Sequence, residues 1–206
     1  MLDILAGVYH DTGTALLYDS PFQLLAATAL AAQTTDEQVN KATRDLFARY
    51  PDPRSMAGAT PEILEPYIRS LGFFRTKAKN LAAMAEMLVT DFGGEVPETR
   101  EGLMKLPGVG RKTANVVLAF AFHIPAIAVD THVFRVSNRM GLAKGKTPDE
   151  VESQLCGLIP EEDWAAAHHW LIWHGRRCCK AQRPACDECP VGQICPRLNI
   201  SGLKRK

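Results

Sequence analysis

The sequence lacks any apolar run long enough to cross a membrane. Its longest candidate, Val116 to Val129, falls short of the roughly 20 residues that a transmembrane helix needs and is interrupted by His123 and Pro125. The start of the chain also lacks a basic segment followed by an apolar one, and carries Asp3 instead, so no secretory leader is predicted. We therefore expect no membrane partner and an intracellular, cytoplasmic location.

Cysteine and net charge are scarce as well. Six cysteines in 206 residues, with no predicted leader, argue against a disulfide framework. The net charge is only +1, although the first 100 residues carry 9 basic and 13 acidic side chains and the remaining residues carry 15 and 10. This asymmetry favours a polyanionic partner for the second half, although imbalances of this size also arise without one.

The sequence shows no alternating strand pattern, no repeat of fixed period and no low-complexity segment apart from a basic tail, Lys204-Arg205-Lys206, which we interpret as a solvated end. Instead, the sequence has a series of helix start signals, and the helix that begins at Ser20-Pro21 should end at about Ala32. These signals are Ser20-Pro21, Thr35-Asp36, Thr60-Pro61 and Thr147-Pro148. The predicted fold class is all-α.

Other helical signals support this class. Thr147 to Glu150 has the residues of a complete capping box. A helix of about Trp164 to His174 is predicted to lead into a cysteine-rich segment. A further helix should end at Gly93-Gly94, and its apolar stripe consists of Leu81, Met84, Ala85 and Leu88.

Four of the cysteines are concentrated near the C-terminus with the spacing C-x6-C-x2-C-x5-C. They are Cys179, Cys186, Cys189 and Cys195. Prolines and a glycine among them indicate a wrapped loop rather than a helix. Four converging thiolates suit tetrahedral zinc or an iron–sulfur cluster, and the wide outer spacing favours the bulkier cluster. Cys156 is interpreted as a helix-face residue and Cys178 as a neighbour of the site, with replacement of Cys179 by Cys178 as the alternative.

A second informative segment, Leu106 to Ala114, reads Leu-Pro-Gly-Val-Gly-Arg-Lys-Thr-Ala. It is typical of a helix-hairpin-helix turn, in which Gly108 and Gly110 let backbone N–H groups face an anion at the start of the second helix. A DNA phosphate is the natural ligand of such a turn. The alternative is a tight turn between two helices with no ligand.

Lys112 and Asp130 are the candidate catalytic residues. Lys112 falls in the first turn of the second hairpin helix, where the helix dipole favours the neutral amine, a nucleophile able to form a Schiff base with a sugar carbon. Its alternative role is a phosphate contact. Asp130 is predicted to cap a helix from Thr131 to Met140 and is at the same time a poised carboxylate. The histidines His168, His169 and His174, next to two tryptophans, are interpreted as packed or hydrogen-bonded rather than metal-ligating.

With these segments the chain, from about Ser20 to Cys195, resembles the endonuclease III family of base-excision DNA glycosylases. Besides the hairpin and the four cysteines, the resemblance rests on Ala32-Gln33-Thr34-Thr35-Asp36, Val129-Asp130-Thr131-His132, His169-Trp170-Leu171-Ile172 and His174-Gly175-Arg176. It implies a six-helix barrel at 14–124, with the hairpin at about 99–122. It also implies an iron–sulfur cluster domain from 1–13 and 125–206, with its cluster loop at 179–195, and a DNA cleft between the two helical domains. One [4Fe-4S] cluster on the four named cysteines is implied as well.

The resemblance further implies a bifunctional DNA glycosylase and AP lyase. Such an enzyme removes oxidised pyrimidines through a Schiff base on Lys112, assisted by Asp130, and cuts the strand by β-elimination. The implied partner is double-stranded DNA with a damaged pyrimidine or an abasic site, bound by a monomer at the nucleoid. Gln33 would fill the gap in the base stack, and Phe73 stands where the family usually has an aliphatic wedge. His132 would also contact DNA, as would both hairpin glycines.

Two other functions are weighed against this one. The adenine-mismatch glycosylases share the hairpin and the cluster, but they lack a lysine at the position of Lys112 and carry an added C-terminal domain. A non-catalytic helix-hairpin-helix DNA-binding module would not need Lys112 and Asp130 together.

Overall fold

The computed structural model describes residues 1–10 and 13–200, so the basic tail lies outside the described residues. These residues are helical, without strands, which confirms the all-α fold class. No helix among them is both long enough and apolar enough to cross a membrane. The α-helices are α1 (Leu2–Val8), α2 (Pro21–Leu30), α3 (Asp36–Arg49), α4 (Pro53–Met56), α5 (Pro61–Ile68), α6 (Phe74–Phe92), α7 (Arg100–Lys105), α8 (Arg111–Ala121), α9 (Thr131–Met140), α10 (Pro148–Leu158) and α11 (Trp164–Arg177). A 3-10 helix, Glu161–Asp163, precedes α11.

The helix starts follow local capping chemistry. Ser20, Thr35 and Thr147 each accept a hydrogen bond from the backbone N–H three residues later, at 3.3, 3.4 and 3.2 Å. The complete capping box predicted at Thr147 is wrong in one half. The Glu150 carboxylate accepts from the N–H of Lys146, at 2.6 Å, one residue before the cap, so this hydrogen bond stands in place of the one expected from the cap residue itself.

Two helix boundaries differ from the predicted ones. Helix α2 ends at Leu30 rather than near Ala32, because the chain turns there and the N–H of Thr34 donates to the carbonyl of Ala31 at 3.1 Å. Helix α11 continues past His174 to Arg177, directly before the cysteine-rich segment.

The chain divides into two compact units. One consists of Thr14–Ile124 and contains α2 to α8. Its core includes the predicted stripe of α6, in which Leu81, Met84, Ala85 and Leu88 are all buried. The α6 helix packs against α4 and α5, and α2 packs against α8.

The other unit consists of Met1–Gly13 and Pro125–Lys206. Helices α1 and α9 both pack against α11. The core of this unit includes Leu5, Val133, Leu171 and Cys179, so the cysteine-rich segment is anchored on the same apolar cluster as the helices.

Candidate functional site

The hairpin joins α7 to α8 through a turn that contains both predicted glycines. Gly108 has a φ of +79°, in the left-handed region, and a Cβ there would lie 2.9 Å from Nδ2 of Asn80. Gly110 is the N-cap of α8 with a φ of −96°, and a Cβ there would have no atom within 4 Å. A side chain at position 108 would therefore be strained, whereas glycine at 110 leaves open space in front of the helix start.

Lys112 lies in the first turn of α8, as predicted, and its side chain is exposed. After this turn, every residue of α8 from Ala114 to Ala119 is buried. Because the helix is packed along that stretch, the exposed lysine is held at its start, next to the glycine turn.

Gln33 and Phe73, the residues expected to enter the base stack, belong to the same unit as the hairpin. Both are exposed, and both adopt left-handed backbone conformations, with φ values of +55° and +56°. Such values are uncommon for residues other than glycine and cost free energy unless surrounding contacts hold them. The aromatic side chain of Phe73 is also 70% exposed.

The contact that accompanies this strain was not predicted. Lys77, on α6, is buried, and its Nζ donates to the carbonyl of Ala32 at 2.9 Å and to Oγ1 of Thr34 at 3.0 Å. The signal was available in the sequence, since Lys77 precedes Leu81 by four residues and falls on the same buried stripe.

Asp130 is the N-cap of α9, which confirms the predicted structural role. Its Oδ1 accepts hydrogen bonds from the N–H groups of His132 and Val133, both at 2.8 Å. The His132 side chain is half-buried, with its Nδ1 3.2 Å from a guanidinium nitrogen of Arg135. The same guanidinium donates to the carbonyls of Gly175 and Cys179 and so ties α9 to the start of the cysteine-rich segment.

The four predicted ligands line one pocket. They are Cys179, Cys186, Cys189 and Cys195. Cys178 and His174 line it too, and their ligand atoms lie with that of Cys189 within 4.8 Å of one another. The loop is tightly wound, because a Cβ at Gly192 would lie 2.7 Å from the carbonyl oxygen of Cys186.

The three histidines of α11 are buried, as predicted for packed side chains. His174 also has hydrogen-bond partners on both ring nitrogens: the Tyr9 hydroxyl at 3.1 Å and Sγ of Cys189 at 3.7 Å. Burial lowers the pKa of His174 to about 4. The ring is therefore neutral at pH 7, with one nitrogen a donor and the other an acceptor.

The thiol environment matches a metal cluster. Burial, followed by neighbouring cysteines, raises the pKa of Cys178 to about 12, and burial also raises the pKa values of Cys186 and Cys195. Several crowded thiols cannot all ionise unless cations neutralise them. The residues present thus fit an iron–sulfur centre, which is held by four cysteine thiolates arranged around one cluster.

These features define a class of protein. A glycine hairpin turn, an exposed lysine on the second hairpin helix and a four-cysteine loop occur together in an all-helical chain. Residues 26–161 match the family model of the HhH-GPD superfamily base excision DNA repair protein, and residues 179–195 match that of the iron–sulfur binding domain of endonuclease III.

Within that class, the chain belongs to the endonuclease III family. It is 51% identical over 182 residues to endonuclease III of Rickettsia conorii, covering 88% of this chain and 87% of that relative. It is 48% identical over 195 residues to endonuclease III of Bacillus subtilis, covering 94% of this chain and 89% of the relative. The solved structure of a trapped endonuclease III–DNA covalent intermediate is 48% identical, with a TM-score of 0.90, covering 95% of this chain and 92% of that chain.

Membership gives the general activity. The protein is a DNA glycosylase and AP lyase of base excision repair. It carries a [4Fe-4S] cluster, which decides between the two metal centres left open by the cysteine spacing. The family, the fold class, the reaction class and the cofactor predicted from the sequence are thereby confirmed.

Proposed function

We propose that this enzyme acts on double-stranded DNA that carries a damaged pyrimidine or an abasic site, with Lys112 as its nucleophile. The observation that carries the proposal is the placement of Lys112, exposed in the first turn of α8 directly after the glycine turn. A strand whose phosphate lies on that turn has its sugars within reach of the amine. The endonuclease III of the solved complex is itself trapped covalently on DNA, which supports a nucleophilic residue in this family.

The proposed reaction begins with the damaged nucleotide flipped out of the duplex. The Lys112 nitrogen attacks C1′ of the sugar, the glycosidic bond breaks, and its electron pair leaves with the base. The electron pair of that nitrogen then breaks the C1′–O4′ bond of the sugar ring, the ring oxygen takes up a proton, and the opened sugar remains bound to Lys112 as a Schiff base. Loss of a proton from C2′ expels the 3′ phosphate, so β-elimination cuts the strand 3′ to the lesion.

Asp130 is proposed to assist base release by accepting a proton or by stabilising positive charge on the sugar. Its two hydrogen bonds to the start of α9 support this role, because they fix the orientation of the carboxylate. The structural role as helix cap and the proposed chemical role are therefore compatible in one residue.

The proposed DNA contacts divide into two kinds. Gly108, Gly110 and His132 contact the backbone or the neighbourhood of the lesion, whereas Gln33 and Phe73 enter the base stack. The exposure of Phe73 supports its role as a wedge, since an apolar side chain inserted between base steps unstacks them. An aromatic wedge in place of the family's usual aliphatic one would change which opposite bases are accepted.

Cys179, Cys186, Cys189 and Cys195 are proposed as the cluster ligands, because all four line one pocket. When bound, the cluster supplies iron–thiolate bonds that cross-link a loop with few apolar side chains of its own. We further propose that the enzyme works as a monomer on the nucleoid in the cytoplasm, where reducing conditions keep thiolates available.

The test of the proposal is borohydride trapping on an abasic-site duplex. Lys112→Gln keeps a long polar side chain but removes the amine, so the covalent adduct should disappear while affinity for the same duplex stays within a few-fold. Lys105→Gln, which changes an exposed lysine at the end of α7, is the matched control and should trap normally. An undiminished adduct with Lys112→Gln would assign the nucleophile to another residue.

A further inference from the structure

Helix α6 contacts three segments that the proposed function assigns to DNA. Phe73 is the residue directly before its first turn, and the N–H of Lys77 donates to the Phe73 carbonyl at 3.0 Å. The Lys77 side chain then contacts the turn that carries Gln33. One turn further on, Asn80 lies against Gly108 of the hairpin. Lys77 and Asn80, three residues apart, share one face of the helix, so that face meets the Gln33 turn and the hairpin, and the helix itself begins directly after Phe73.

The Lys77 contacts are specific to the Gln33 turn. The ammonium binds the carbonyl of Ala32 on one side of Gln33 and the hydroxyl of Thr34 on the other. The Thr34 hydroxyl also lies 3.3 Å from the Ala32 carbonyl, so these three groups close a small network around the residue with the left-handed backbone. Gln33 itself makes none of these bonds, and its side chain is exposed.

A buried ammonium at this position has an energetic cost. Lys77 is only 8% exposed, and burial lowers its pKa, which shows that the charged form is disfavoured there. Both acceptors are neutral groups, so the cost is not recovered by a carboxylate in these bonds. A methionine would fill similar space without the cost of burying a charge. What the lysine contributes and a methionine cannot is a fixed geometry for the residues on both sides of Gln33.

We propose that Lys77 is a positioning residue for the binding of lesion DNA. Its ammonium holds Gln33 in the left-handed conformation at a fixed position relative to Phe73. Both side chains are therefore already ordered when they reach the base stack. The inference rests on the proposed function, because it takes Gln33 and Phe73 as the residues that enter the stack. Lys77 itself touches neither the damaged base nor the reacting sugar. It acts through the Gln33 turn, by removing the need to order that turn when DNA binds.

The test is a double-mutant cycle of Lys77→Met and Gln33→Ala. Dissociation constants are measured for a duplex with a tetrahydrofuran abasic-site analogue and for the undamaged duplex. Alone, each substitution should weaken binding to the analogue, Gln33→Ala by about tenfold and Lys77→Met by several-fold, on the order expected for one charged hydrogen-bonding group. In the Gln33→Ala background, Lys77→Met should cost less than about twofold, and affinity for undamaged DNA should not change.

A spectroscopic readout separates positioning from general stability. A 2-aminopurine base opposite the abasic analogue should fluoresce differently on binding, and Lys77→Met should reduce that change as Gln33→Ala does. Lys79→Met, on the exposed side of the same helix, is the matched control and should behave as the unmodified enzyme. If Lys77→Met does not fold, Thr34→Val removes one acceptor without altering α6 and should shift both readouts in the same direction by a smaller amount.

The outcomes distinguish the two proposals. Equal losses from Lys77→Met with and without Gln33 would show that Lys77 acts elsewhere and would overturn the inference while leaving the proposed function intact. No loss from Lys77→Met, with a clear loss from Gln33→Ala, would overturn it as well. If Gln33→Ala itself changed nothing, the proposed contact of Gln33 with DNA would be wrong, and the positioning role of Lys77 would be wrong with it.

Discussion

Replacing Gly110 by alanine separates DNA binding from folding in the hairpin. The φ of −96° suits any residue, and an added Cβ would have no atom within 4 Å. The only expected cost is that alanine caps a helix less well than glycine, about 0.5 to 1 kcal/mol. Gly108→Ala differs, because a φ of +79° costs an L-residue about 1 to 2 kcal/mol and the new methyl group also meets Asn80.

For DNA binding, in contrast to folding, Gly110→Ala should have a large effect. A methyl group at Gly110 occupies the space in front of the helix start, where the proposed phosphate lies. Losing one hydrogen bond to a charged acceptor corresponds to about 1.5 to 3 kcal/mol, or roughly 10- to 100-fold in Kd. Because phosphate contacts carry no base information, undamaged and abasic duplexes should weaken by the same factor.

The assay is fluorescence anisotropy with both duplexes at one fixed salt concentration, combined with thermal unfolding. Gly157→Ala, at an exposed glycine within α10 with no neighbour to meet a Cβ, is the control and should raise stability without changing affinity. Unchanged affinity of Gly110→Ala for both duplexes would refute phosphate binding by the hairpin backbone. A loss confined to the abasic duplex would refute it equally.

Three further predictions concern single residues. Asp130→Asn retains a capping oxygen, so its melting temperature should barely change while single-turnover base release slows by on the order of 10²; a lower melting temperature with an unchanged rate would leave Asp130 a structural residue alone. Anaerobically purified enzyme should contain about four iron and four sulfide per chain. Cys186→Ala should lose this iron and sulfide together with the protease resistance of the loop. Stoichiometric zinc without sulfide would contradict the cluster. Burial, and then Arg176, lower the pKa of His169 to about 4. Since the unfolded state therefore binds the proton first, the contribution of His169 to the free energy of unfolding should fall by about 1.5 kcal/mol between pH 6.5 and 5. Urea titrations of His169→Gln should show a correspondingly weaker pH dependence, and an unchanged pH dependence would contradict this prediction.

Features set by neighbouring residues could be predicted from the sequence. The cap at Asp130 depends on a carboxylate two and three residues before the N–H groups it binds, and the end of α6 depends on Gly93, whose φ is +64°. The cysteine loop belongs to the same category, because its spacing alone restricts the chemistry. The interactions at the helix ends form within one turn of chain and the four cysteines lie within 17 residues, so a short window of sequence contains all the partners.

Features that depend on distant partners could not be predicted in this way. The left-handed backbone conformations at Gln33 and Phe73 could not be predicted, because neither residue is a glycine. Lysine is normally a surface residue, and only the position of Lys77 four residues before Leu81, on the same helix face, indicates that it is buried.

The hydrogen bond between Tyr9 and His174 joins residues 165 positions apart in the chain, and it places a condition on biosynthesis. Residues 14–124 have emerged in full from the ribosome while α1 still lacks α11, the helix against which it packs. At about 5 to 20 residues per second, Leu5 and Tyr9 remain uncovered for on the order of ten seconds. The four cysteines proposed as cluster ligands follow α11 in the chain, so iron and sulfide can be bound there only after that helix has been synthesised.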